Sequence, residues 1–365
     1  MRTLLGTLAL ALAVPLSVAS TAASAQPGGP DRAGASDPSD WTFSDRVVDD
    51  TQSFRGLDAV GRKTAWIAGE DITEDGGPGS VYRTTDGGRT WKDRSPEVGR
   101  DLAFRDIEAV SRKEASVLAI GEGRASRIYR TTDGGKTWKK TFQNKTAKAF
   151  FNCIDFYDGG RTGLGVSDPV RGKFRIVRTK DHGRSWDVVR RKGMPAAVDG
   201  EFNFAASGTC LTIVEGEAYM ASGGAASRIF HSDDTGRTWD VTDAPIPATP
   251  AGGVFSLSFK DAGLGVAVGG DFEAPDNGVD ASGFTRNGTS WRAGGDLSGY
   301  RSGSDWVDGS MRTFVAVGPN GIDATTDAGR TWTSLGEIGY HAVACAPTAC
   351  FTSGSDGRAG RIVTE

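Results

Sequence analysis

The stretch Thr84-Thr85-Asp86-Gly87-Gly88-Arg89-Thr90-Trp91 decides the fold. It returns at Thr131–Trp138, Thr179–Trp186, Ser232–Trp239 and Thr325–Trp332, and a worn copy ends at Trp291. The shared pattern is Ser/Thr-x-Asp-x-Gly-x-Thr/Ser-Trp, and each position suits a turn. An Asp there accepts hydrogen bonds from backbone N–H groups a few residues on. Gly88 and its equivalents take positive φ without steric cost. The hydroxyl residues satisfy the remaining backbone groups. The Trp opens the next strand and packs its ring between neighbouring units. In the worn copy Phe284 and Arg286 stand where Thr and Asp are expected, so that turn is expected to be looser or built differently. One carboxylate per loop is too few oxygen ligands for calcium.

The anchoring tryptophans are 41 to 53 residues apart. A period of roughly 45 residues is one four-stranded propeller blade. The first period supports this, with strands expected over 54–60, 64–68, 80–84 and 90–94. No segment carries a sustained helical period. Six turns imply at least six blades, and the ends of the chain supply a seventh. Beyond Trp332, residues 340–346, 349–353 and 361–364 read as three strands. Trp41-Thr42-Phe43-Ser44 reads as the missing outer strand. Pairing the two termini removes open sheet edges. The expected fold is therefore all-β: a seven-bladed β-propeller of four-stranded blades over residues 41–365, closed by strands from both termini. Six blades and a stray hairpin is the alternative.

Residues 1–25 read as a signal peptide: Arg2, an apolar run from Leu4 to Val18, then the small-residue pattern Ala23-Ser24-Ala25. An uncleaved anchor is the competing reading. Residues 26–40, rich in Gly, Pro, Ser and Asp, read as a disordered linker. A secreted, periplasmic or cell-envelope protein follows, and there disulfides can form. Cys345 and Cys350 flank a Pro-containing turn, which makes a hairpin bridge plausible and leaves Cys153 with Cys210. Four cysteines allow three connectivities, and spacing alone does not choose. No Cys-x-x-Cys or paired His suggests zinc. The formal charge of −4 and the lack of a basic stripe give no sign of nucleic-acid binding. No later stretch is apolar enough to span a membrane. No cofactor signature is present, and a monomer is expected.

The repeat resembles the Asp-box, or BNR repeat, of sialidases and related secreted propellers. The chain also resembles the photosystem II stability/assembly factor-like family, which carries Asp-boxes in a seven-bladed propeller. The narrower likeness rests on residues 151–156, Ser167-Asp168-Pro169, the run from Gly200 to Thr209, Gly269-Gly270-Asp271 and Gly299-Tyr300-Arg301-Ser302. In that family the implied role is assembly of a partner protein. The binding role alone carries over, since nothing here points to photosynthesis. An oxidoreductase label, loosely attached to bacterial relatives, has no support in the sequence.

For chemistry, the heads of the expected first strands are informative. Each holds an aromatic followed by a variable residue: Phe54-Arg55, Phe104-Arg105, Phe151-Asn152, Phe202-Asn203, Phe255-Ser256, Tyr300-Arg301 and Tyr340-His341. If the aromatic packs between blades, its successor faces the central channel. Arg55, Arg105, Arg301 and His341 would then form a basic arc on adjoining blades. Asn152, Asn203 and Tyr300 complete the candidate ligand set. Such an arc suits a carboxylate or phosphate, on a protein segment, a glycan or a small anion. Acids paired with each Arg would instead make the arc merely a wet channel lining. The alternative function is a sialidase-like glycoside hydrolase using channel carboxylates, with Glu201, Asp168 and Asp271 as weak catalytic candidates. The Arg-Ile-Pro motif of sialidases is missing. His182 and His231 read as turn residues.

Overall fold

The computed structural model describes residues 36–74, 76–97 and 102–364; the leader and most of the expected linker lie outside them. Seven antiparallel sheets each carry the four strands of one blade. The innermost strands are Gln52–Ala59, Phe104–Glu108, Phe151–Phe156, Leu211–Val214, Gly252–Asp261, Gly303–Trp306 and Ala342–Ala346. Each packs against the next around the channel, and Ala342–Ala346 packs against Gln52–Ala59. The seventh blade takes its outer strand from the N-terminus. Thr42–Val47 pairs antiparallel with Arg358–Val363 in unbroken register, Thr42 opposite Val363 and Val47 opposite Arg358. The described residues begin upstream of that strand, in part of the segment expected to be linker. The Ser36 N–H donates to Thr364 O, and Pro38–Asp40 forms one 3-10 turn. Trp41 is buried with Val343, Cys350 and Ile362. Among the described residues helix is confined to that turn and to Gly123–Ala125, and no helix is long and apolar enough to cross a membrane.

The repeated turns are built as their residue types suggest. Asp86 accepts from Thr90 N at 2.9 Å and Thr90 Oγ1 at 2.6 Å, while Thr84 Oγ1 accepts from Gly88 N at 2.9 Å. The same set recurs at Asp133, Asp181, Asp234 and Asp327. These hydrogen bonds favour the ionised form and pull the Asp86 and Asp133 carboxyls down to about 2. The tryptophans pack across blades: Trp138 meets Trp66 edge-on at 6.2 Å. The worn fifth copy is built differently, as expected, but in another register. It is one residue shorter, and Asn287 rather than Arg286 takes the Asp place, accepting from Ser290 N and Ser290 Oγ at 2.9 Å.

Neighbouring blades are also tied together at the channel. Asp58, Asp106, Asp155 and Asp305 each reach from an innermost strand to a backbone N–H at the next blade: Ala109, Ile154, Ile213 and Cys345, at 2.5 to 2.7 Å. The Cys153–Cys210 disulfide joins blades three and four, and Cys345–Cys350 closes a hairpin within blade seven. This is the pairing that the spacing left open.

Deleting residues 41–48 should expose the edge of blade seven and empty the site of Trp41. Losing one buried Trp costs about 3–5 kcal/mol, so the melting temperature should fall by about 5 °C or more. Unchanged melting in calorimetry would mean that the seventh blade does not need its N-terminal strand.

Candidate functional site

The channel opens at one face into a cavity of about 570 Å³. A recurring defect in the strand ladders gives it its lining. The innermost strands of blades one, two, three and five carry β-bulges between Phe54 and Gly56, Phe104 and Asp106, Phe151 and Cys153, and Val254 and Ser256. A bulge leaves one residue out of the pairing and re-aims its side chain. The four bulged residues are Arg55, Arg105, Asn152 and Phe255, and all four line the cavity.

On one side stand Arg55, Arg105 and His341. Arg105 is paired with Glu70 at 2.5 Å and donates to Ala205 O at 3.2 Å. No hydrogen bond or ion pair engages the Arg55 side chain among the described residues, and its Nε is buried without a partner. Burial, and then the neighbouring Arg105 charge, bring its pKa down to about 10, so it stays cationic at neutral pH. Burial, followed by the Arg55 and Arg105 charges, pushes His341 down to about 3. Its imidazole is therefore neutral, and the positive charge here belongs to the two arginines.

The opposite side is aromatic. Phe204 and Phe255 stack with centroids 3.6 Å apart, and Tyr300 meets Phe255 edge-on at 4.7 Å. Phe272 stands at the rim, 50% exposed. Asp168 sits between the two sides. It accepts from Asn152 Nδ2 at 2.9 Å and Asn203 N at 3.0 Å, and burial raises it to about 6. Asn203 Oδ1 has no partner among the described residues.

The floor of the cavity comes from a segment that the sequence did not place there. Glu201–Phe202 is not the innermost strand of blade four; it pairs with Gly223–Gly224 at the edge of the blade-five sheet. From Asn203 to Thr209 the chain then crosses the channel. Ala205 O is held by Arg105 of blade two, Ser207 Oγ donates to Ser302 O of blade six at 2.7 Å, and Thr209 Oγ1 donates to Ser256 Oγ of blade five at 2.7 Å. Gly208 makes this possible. Its φ is +87°, and a Cβ there would lie 2.4 Å from Asp106 Oδ1.

Several expected positions differ. Arg301 faces away from the cavity and is fully buried between blades. Its Nε donates to Asp323 at 2.6 Å, and it also reaches Tyr300 O and Asn320. The aromatic pairs are one residue out of register in two blades. Backbone pairing puts Arg301 where Phe54 and Tyr340 stand, each with its N–H donating to the preceding blade. In blade five the aromatic itself, Phe255, is the bulged residue, and Ser256 hydrogen-bonds to Ser304 of blade six. Of the carboxylate candidates only Asp168 lines the cavity. Glu201 is buried against Arg228 and Ser222, and Asp271 holds Thr249 and the Glu273 N–H in a turn. His231 pairs with Glu217 at 2.7 Å on a strand of blade four, and His182 lies in an Asp-box turn with φ +62°. No cluster of three or more His, Cys, Asp or Glu among the described residues fits a metal ion.

Beneath the floor the channel is acidic. Asp58, Asp106 and Asp305 are raised to about 6, 7 and 7, and Glu108 and Asp155 are raised well above their ordinary values. Burial is the main cause and mutual repulsion adds to it. Asp58, Glu108 and Asp155 each stand three residues after a bulged residue, whereas Asp106 directly follows one and Asp305 lies on a strand whose pairing is unbroken.

No known family profile matches the chain, and no curated protein matches it. Solved structures do. YCF48 bound to a D1 peptide superposes with a TM-score of 0.62 at 16% identity, over 88% of this chain and 97% of that one. YCF48 from Cyanidioschyzon merolae gives 0.57 at 16%, over 88% and 98%. Virginiamycin B lyase from Staphylococcus aureus gives 0.62 at 13%, over 89% and 99%. The likeness to photosystem II assembly factor-like propellers thus extends to the fold. A peptide-bound protein and a lyase share it, so the fold by itself selects no function.

The Glu108 side chain has no hydrogen-bond partner among the described residues, and its pKa is raised by burial and by the neighbouring acids. A raised carboxyl adds stability that is complete below its unfolded value and is lost as pH rises through the folded value. Glu108→Gln mimics the protonated form at every pH. Thermal melts should show the variant about 1 kcal/mol more stable at pH 8 and equal to the parent near pH 4. Equal melting at both pH values would refute the buried repulsion.

Proposed function

We propose that this propeller is a binding or assembly module whose cavity takes a segment of a partner protein. The segment presents a carboxylate to Arg55 and Arg105 and lays an apolar or aromatic side chain on the Phe204–Phe255–Tyr300 wall. The observation that carries this reading is the unpartnered Arg55. Glu70 attracts Arg55 only through space, since its carboxylate is bonded to Arg105, so an incoming carboxylate completes the Arg55 guanidinium with short, charge-assisted hydrogen bonds. The aromatic wall opposite adds apolar area and orientation. A propeller of similar fold bound to a peptide supports a segment, rather than a free small molecule, as the natural occupant. His341, neutral at its post, offers a hydrogen bond without charge. Asn152 and Asn203 offer polar contacts, Asn203 through its free Oδ1. Asp168 sets a polar limit on one flank.

The protein works outside the cytoplasm, after cleavage near Ala25, and acts as a monomer without a cofactor. Its two disulfides and the small-residue motif of the leader support that setting. No catalytic step is assigned. A two-carboxylate hydrolase needs a second acid in the cavity beside Asp168, and Glu201 and Asp271 are engaged elsewhere.

A peptide array probed with the mature protein tests the reading. Bound sequences should share a carboxylate next to an aromatic or large aliphatic residue. Arg55→Gln should weaken the best of them by about tenfold or more, the range for losing one charge-assisted contact. Undiminished affinity in that variant would defeat the proposal.

A further inference from the structure

Away from the cavity, four arginines meet where blade seven abuts blade one. Arg46 comes from the N-terminal outer strand, Arg62 from the first hairpin of blade one, Arg89 from its Asp-box turn and Arg361 from the third strand of blade seven. Arg46, Arg89 and Arg361 line a notch of about 160 Å³ together with Ser44, Gly87, Gly88 and Trp91.

Part of this arrangement is ordinary architecture. The Arg361 Nη1 donates to Gly87 O at 3.2 Å, and Arg83 and Arg178 make the same tie to Gly134 O and Thr235 O in other blades. That tie accounts for Arg361 but not for the other three. Arg46 donates to the Arg89 carbonyl, which draws a second guanidinium into the notch. Among the described residues none of the four pairs with a carboxylate. Arg361 Nε is buried without a partner, as Arg83 Nε is at the equivalent tie. Burial, and then the Arg62 and Arg89 charges, lower the Arg361 pKa, so these cations feel one another. The nearby acids are already engaged. Asp86 holds Thr84 and Thr90, and Asp45 holds Arg358.

Converging like charges repel, and the Asp86 carboxylate, which attracts Arg89 from within its turn without pairing with it, offsets only part of the repulsion of four guanidinium groups. We propose that the notch binds a phosphate or sulfate group. Guanidinium forks match the oxygens of a tetrahedral anion, and the volume has room for one such group and its linkage. Two sources share this chemistry: a free inorganic ion and an ester on a polyanionic chain. The first and third strands of a blade run the same way. The Asp-box turn after the third strand therefore lies at the opposite face from the bulge that heads the first. The notch and the cavity would accordingly bind their ligands independently.

The full chain, titrated with inorganic phosphate, inorganic sulfate and long-chain polyphosphate, tests this by calorimetry and thermal melting. Sodium chloride at equal ionic strength is the control. The expected result is saturable stabilisation, weakened about tenfold or more in Arg46→Gln/Arg89→Gln and unaltered in Arg55→Gln. Both substituted side chains are exposed, so folding should survive, and Arg62→Gln gives an independent check through the same loss. Equal affinity per group for phosphate and polyphosphate marks the free ion as the source, and tighter binding of the polymer marks the chain. Stabilisation matched by sodium chloride, or kept by the double variant, overturns the proposal.

Discussion

The β-bulge at the head of the innermost strand is the constraint on which the site depends. A regular strand alternates its side chains between the two faces of a blade, and both faces pack against neighbouring blades. Such a strand offers the channel mouth only the residue at its head, as at His341. Inserting one unpaired residue changes that. Arg55, Arg105, Asn152 and Phe255 leave their ladders and turn toward the axis. The bulge fixes where functional side chains can stand, and the residue type at the bulge fixes what they do.

The same geometry divides the channel. Above the floor formed by residues 203–209 lies a cavity with two arginines on one side and stacked aromatics on the other. Below it, carboxylates tie blade to blade through backbone N–H groups. Those lower acids explain why polar groups are buried in the middle of the ring: they satisfy donors that no strand partner reaches. Their mutual repulsion is the cost. Between blades five and six hydroxyls do the equivalent task, with the Ser304 N–H donating to Ser256 Oγ.

Much of the fold was legible because the Asp-box turn is local. Its Asp, Gly and hydroxyl residues act on one another within eight positions, so the sequence shows both the turn and the period. The closing strand was legible for a related reason, since a blade with three strands at one terminus requires a fourth from the other. The site was less legible because a bulge is a property of pairing, not of sequence. The aromatic that marks it sits before the bulge at Phe54 and Phe104 but within it at Phe255. A one-residue shift of this kind reverses which side chain faces the axis. It moved Arg301 out of the expected arc and brought Phe255 in. The floor was hidden for a different reason. Phe202-Asn203 has the look of a strand head, but Gly208 lets the following chain pass against Asp106 on the far side of the channel.

The central claim is that Arg55 and the aromatic wall act together on one ligand. A crystal structure of the mature protein with 3-phenylpropionate, which carries a carboxylate and a ring and little else, tests it most directly. The account predicts the carboxylate on Arg55 and the ring against Phe204 and Phe255. A ligand bound elsewhere, or a cavity left with water alone at saturating concentration, would contradict it.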